Sequence, residues 1–142
     1  MKIYRIAQGL IKAYHGTCEK LYEMILEGDG LVDPYLTSNV NIAKYYAEEA
    51  AINYKYGKPI VLEVSVPSIS NLRYDGNAMD EPIMASVIQR DRAWNKAAKD
   101  HPEWVEDDTI SIPETEWKIS WDAVYSARYE GVIPIGHIKK IG

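Results

Sequence analysis

The chain has 142 residues, the size of one ordinary domain, so a single domain spanning residues 1–142 is expected and a catalytic domain with a separate recognition domain is not. Hydrophobic residues make up 46% and charged residues 26%, a globular balance far from that of a disordered chain. Sixteen basic against 21 acidic residues leave a formal charge of −5, which removes the attraction that drives non-specific nucleic-acid binding.

In chain order, Leu10–Tyr14 reads as a strand running into His15-Gly16-Thr17. Thr17 is placed to cap a helix, with Glu19 in the first turn, where the dipole favours a carboxylate, and Leu21, Met24 and Ile25 as its apolar stripe. Gly28 and Gly30 end it. Pro34–Thr37 reads as a short strand. Ser38 or Asn39 then caps a second helix with Ile42, Tyr45, Tyr46 and Ala50 inward, which ends near Gly57-Lys58-Pro59. Ile60, Leu62, Val64 and Val66 alternate with Val61, Glu63 and Ser65, the period-2 pattern of a half-buried strand, closed by Pro67. Asp80 and Pro82 open a third helix with Ile83, Val87, Trp94 and Ala98 on one face, until His101-Pro102 stops it. Glu103–Asp108 reads as a solvated acidic loop. Thr109–Ile112, Glu116–Trp121 and Ala123–Ile133 follow, and the second half is expected to be mainly strand. The sum is an α+β pattern rather than a regular alternation of parallel strands and helices.

The aromatic usage is skewed: 11 Tyr, 4 Trp and no Phe, so every Tyr or Trp ring carries a polar atom that suits a wet-edged cleft as well as a core. The single Cys18 cannot form an internal disulfide, and histidines at 15, 101 and 137 make no zinc-type cluster, so no metal is expected. Cys18 lies three residues after His15, but nothing supplies the third group that would orient a thiol nucleophile, and it reads as a small packed hydrophobe. No apolar run reaches the ~18 residues of a membrane span, and the first residues lack a signal-peptide pattern. A cytoplasmic, membrane-free monomer is expected.

The chemically informative residues are Tyr14-His15-Gly16-Thr17, Asp33-Pro34-Tyr35-Leu36-Thr37 and Ala43-Lys44-Tyr45-Tyr46-Ala47. A histidine at a strand end beside a glycine can present its imidazole and the main chain at a cleft mouth. Tyr35 and Tyr46, eleven positions apart on a strand and the next helix, can offer two faces of one slot for a planar ring. Singly, such a histidine and tyrosine are ordinary packing; the joint pattern points to a site.

On these residues the chain resembles the ADP-ribosyltransferase superfamily, in its His-Tyr-Glu branch of diphtheria-toxin-like and poly(ADP-ribose)-polymerase-like enzymes, over about residues 10–67. The resemblance implies a split β-sheet core with flanking helices and NAD as co-substrate. It implies nicotinamide bound by His15, Gly16, Thr17, Tyr35 and Tyr46, with His15 on the ribose and the two tyrosines sandwiching the ring. Catalysis would rest on His15, Tyr46 and a glutamate on a late strand that stabilises the cationic sugar as nicotinamide leaves. Glu130 is the candidate, because along 123–133 it shares the parity of Ser126 and Arg128. Anchoring the family pattern on Ile138 sets the expected glutamate on Tyr129 instead, and Glu114 and Glu116 are fallbacks.

The implied activity is transfer of ADP-ribose to an acceptor, a protein rather than a nucleic acid, chosen by loops such as 28–33 and the acidic stretch near Asp107. Arg90 or Arg92 on the third helix could meet the pyrophosphate. Two alternatives share the core: an RNA 2′-phosphotransferase-like enzyme, and a non-catalytic NAD- or ADP-ribose-binding module that lost the glutamate. The former needs arginines near its histidine, where only Lys20 stands.

Overall fold

The computed structural model describes residues 11–54, 57–84 and 87–142. Leu10, the expected start of the first strand, lies outside them. The fold is α+β, with a six-stranded sheet as its centre. Its strands are β1 (Lys12–Cys18), β3 (Tyr35–Thr37), β4 (Pro59–Ser65), β5 (Leu72–Arg73), β8 (Ser126–Tyr129) and β10 (Ile138–Lys140), in the order β10-β4-β1-β3-β8-β5. Every pairing within it is antiparallel. A second, two-stranded sheet pairs β2 (Gly30–Val32) with β9 (Val132–Pro134).

The longest ladder joins β1 to β4 along their full lengths, from Lys12 opposite Ser65 to Cys18 opposite Pro59. The alternation expected for β4 is doubled: Ile60, Leu62 and Val64 are buried in the main core with Leu36, Leu72, Ala127 and Ile133, and Val61 is buried on the other face with Ala43 and Ala47. That second face is covered by helix α2 (Val40–Tyr54). Gly16 makes the close approach possible: a Cβ built on it would stand 2.1 Å from the Ala43 carbonyl oxygen and 2.5 Å from the Ala47 nitrogen. Only a residue without a side chain lets β1 and α2 meet backbone to backbone. Asn39 begins α2 as expected; its side chain accepts from the Asn41 N–H at 2.8 Å and its carbonyl from Ala43 at 3.2 Å. The buried stripe of α2 is Ile42, Ala43 and Ala47, leaving Tyr45 and Tyr46 half out of the core.

Several expectations are corrected. Helix α1 (Glu19–Glu27) is capped at Cys18 without a side-chain bond, not by Thr17. Cys18 and Thr17 are both buried. Residues 30–32 form β2 rather than a free loop, tied to the end of β8 by Asp33, whose carboxylate accepts from the Gly131 N–H at 2.7 Å. The expected third helix corresponds to α4 (Val87–Asp100), and a separate short helix, α3 (Gly76–Asp80), begun by Asp75, precedes it. Asp80 therefore ends a helix instead of opening one. The acidic loop is a hairpin, β6 (Val105–Glu106) with β7 (Thr109–Ile110), turning on Asp107 and Asp108 at positive φ.

The largest correction is in the second half, where Trp117–Val124 is helix α5, not strand. Ser120, Ala123 and Val124 form its buried face, a 3.6-residue period that the Trp and Ile content of the segment masked. Tyr125 then takes the left-handed conformation, φ 62°, and caps α5 on the carbonyls of Ser120 and Trp121. The chain leaves that turn directly into β8.

Candidate functional site

Beside the C-terminal half of α2 lies a cavity of about 760 Å3, within the usual range of small-molecule sites. Three groups of residues line it: Tyr14, His15 and Gly16 from β1, Tyr35, Leu36 and Thr37 from β3, and Tyr45, Tyr46, Glu49, Ala50 and Asn53 from α2. The rest of the lining is Asp75, Asn77, Ala78, Glu81, Pro82 and Ile83 around α3, with Ser126 at the head of β8. The fold thus brings His15, Gly16, Tyr35 and Tyr46 together. Thr17 is buried and is not among the residues that line the cavity.

His15 Nδ1 lies 2.8 Å from the Tyr35 carbonyl oxygen. A carbonyl can only accept, so Nδ1 carries the proton and Nε2 is left as an acceptor. Burial holds the imidazole pKa below its ordinary value, against the opposing pull of that hydrogen bond, so the ring is neutral at pH 7. Tyr35 receives a hydrogen bond on its hydroxyl from the Asn77 amide at 3.0 Å, which ties the β3 wall to α3. The Tyr46 ring meets Tyr45 edge-on at 5.5 Å. Its phenol is held above the ordinary pKa first by burial, then by the Asp75 charge.

Asp75 is 4% exposed and Ser126 6%. The Asp75 carboxylate accepts from the Ala78 N–H at 3.0 Å, and its own N–H donates to the Ser120 hydroxyl at 3.0 Å. Burial raises its pKa, partly offset by the Ala78 bond and the Arg128 charge. Thr37 is committed to structure: its hydroxyl donates to the Tyr125 carbonyl at 2.6 Å and so fixes the turn that aims Ser126 into the cavity. Among the described residues, no Lys or Arg lines this cavity, whose ionisable walls are His15, the tyrosines and the carboxylates of Asp75, Glu49 and Glu81.

Glu130 is not among the lining residues. It is ion-paired to Arg73 at 2.7 Å, with its side chain 61% exposed, and its carbonyl accepts from the Asn71 amide. Glu130 shares the strand parity of Ser126 but follows the end of β8, about 13 Å further along the chain, outside the cavity lining. Tyr129 is buried in the core, and Glu114 pairs with Arg128 at 2.9 Å. Glu116 lines a separate groove by α4 and α5. Arg90 is also committed elsewhere, donating to the Met79 carbonyl at 2.7 Å and lying 4.4 Å from the centre of the Trp94 ring. Sequence reasoning missed Asp75, Asn77 and Ser126. The one local signal was Asp75-Gly76-Asn77, a helix-start pattern.

Comparison of the chain with family models, with curated proteins and with solved structures returned no match. Among the described residues no helix is long and apolar enough to cross a membrane.

Proposed function

We propose that the protein binds NAD in this cavity as an ADP-ribosyltransferase-type domain, cleaves the bond between nicotinamide and ribose, and transfers ADP-ribose to an acceptor. The observation that carries the reading is the convergence of His15, Tyr35 and Tyr46, from three elements, on one cavity. In this reading Tyr35 and Tyr46 stack the nicotinamide ring, and the Gly16 main chain stands beside it. The neutral His15 Nε2 accepts from a ribose hydroxyl. A pyridinium cation between aromatic faces and beside carboxylates is favourable, whereas the pyrophosphate finds no cation among the described lining residues and would lie toward the mouth.

A non-catalytic NAD- or ADP-ribose-binding module is the second reading, favoured by the position of Glu130 outside the cavity. A 2′-phosphotransferase reading is weaker, since a phosphorylated RNA would meet carboxylates where it needs arginines. The test is incubation of the protein with NAD labelled in the adenosine, together with a cell lysate. Nicotinamide release and label on an acceptor are the expected result. Binding of NAD without nicotinamide release would select the module, and absence of binding would overturn both.

A further inference from the structure

Resting on the NAD reading above, we propose that Asp75 is the catalytic carboxylate of the site, in the role the sequence offered to Glu130. It stands in the short segment between β5 and α3. In the β5–β8 ladder Arg73 stands opposite Arg128 and the pairing ends there; Asp75 follows two residues later, its N–H on the Ser120 hydroxyl, and lines the cavity together with Ser126. On the other side of β8, Thr37 stands opposite Ser126. Ser126 lines the cavity at the head of β8. Neither Ser126 nor Thr37 carries a carboxylate, and the buried carboxylate that lines the cavity with them is Asp75.

The three carboxylates that line the cavity are not equivalent. Glu49 and Glu81 are exposed at the rim, while Asp75 is buried. A charge in a water-poor wall acts far more strongly on a nearby cation than one at the rim. Asp75 is also fixed from two sides, by the Ala78 N–H on its side chain and the Ser120 hydroxyl on its main chain. Among the described residues it forms no ion pair; Arg128, whose charge reaches it, bonds to Glu114 and the Tyr74 carbonyl. A buried carboxylate held rigid and left unpaired is stabilised when a cation forms in front of it.

The step follows. The C1′–N bond of NAD breaks and its electron pair passes to the pyridinium nitrogen, so neutral nicotinamide leaves. The ribose becomes an oxocarbenium-like cation facing Asp75. The acceptor oxygen bonds to C1′, and the proton it loses goes to the Asp75 carboxylate and then to solvent.

Asp75 also begins α3, and capping alone could explain an oxygen there. Asn and Ser cap as well as Asp, so Asp75→Asn and Asp75→Ser remove the charge and keep the cap. The experiment measures nicotinamide release from NAD with water as acceptor, thermal unfolding, and calorimetric binding of a carbocyclic NAD analogue that cannot be cleaved. Both variants are expected to unfold like wild type, to bind the analogue, and to lose about 10²-fold in kcat. A folded variant of either kind with wild-type kcat would overturn the role of Asp75 and leave the NAD reading standing. Wild-type protein that binds the analogue but releases no nicotinamide would overturn the catalytic role and leave an NAD-binding module. Wild-type protein that does not bind the analogue would overturn both.

Discussion

The two walls of the cavity are held by different forces. The wall of β1, β3 and α2 is built by backbone contact, since Gly16 lets the main chains of β1 and α2 meet with no side chain between them. The wall of α3 and β8 is built by side-chain hydrogen bonds: Asp75 to Ala78, Ser120 to Asp75, Asn77 to Tyr35, and Thr37 to Tyr125. Backbone contact tolerates no added volume, whereas a hydrogen-bonded wall tolerates any replacement that keeps its donors and acceptors. The first wall is therefore expected to be sensitive to size and the second to chemistry.

The largest effect should come from Gly16→Ala, whose methyl group would overlap the Ala43 carbonyl and the Ala47 nitrogen. Helix α2 must move away, at a cost of about 3 kcal/mol in urea unfolding, with loss of analogue binding as Tyr46 shifts. Unchanged stability would mean that the wall is not set by backbone contact.

Next is the acid response of His15. Its folded pKa is lowered by burial, so in the window between that value and the unfolded value of 6.5 the unfolded chain holds more protons than the folded one. Stability from this group is therefore present above 6.5 and falls on acidification through that window. Protonation also converts Nε2 from acceptor to donor. NAD binding should be flat above 6.5 and weaken below the lowered folded value by about tenfold per pH unit, as calorimetry would show. Binding that weakens already above 6.5 would contradict a neutral His15.

On the hydrogen-bonded wall, Asp75→Ala should cost about 1 kcal/mol through the lost cap, while Asp75→Asn leaves stability within a few tenths. Equal losses would make the wall depend on charge rather than on hydrogen bonding. The smallest effect belongs to Glu130→Gln, which removes one exposed partner of Arg73 and should change stability by about 0.5 kcal/mol or less. Nicotinamide release should be unaffected, and a large fall would return Glu130 to the site.

The first wall could be read from the sequence because its signals are local. His15-Gly16, Tyr35 and Tyr46 lie on elements whose type follows from alternation, turn residues and a capping Asn39, and the apolar period of α2 was right at Ile42. The same method misplaced Tyr45 and Tyr46 as inward, because Gly16 brings β1 closest to the Ala43 and Ala47 face. The second wall was not legible. Residues 117–124 carry Trp, Ile and Val, which suit strand or helix alike, and tertiary burial of Ser120, Ala123 and Val124 decided for helix. Glu130 was chosen by parity alone, which reports a face and not a distance along it.

By itself the sequence determined the α+β class, the histidine-glycine strand and its tyrosine partners, since hydrophobic period and local turn chemistry act between near neighbours. Only the tertiary structure decided which carboxylates share a cavity with His15. Asp75 and Glu81 lie some 60 residues from His15 in the chain, and only packing across the whole core brings such distant segments to one cavity.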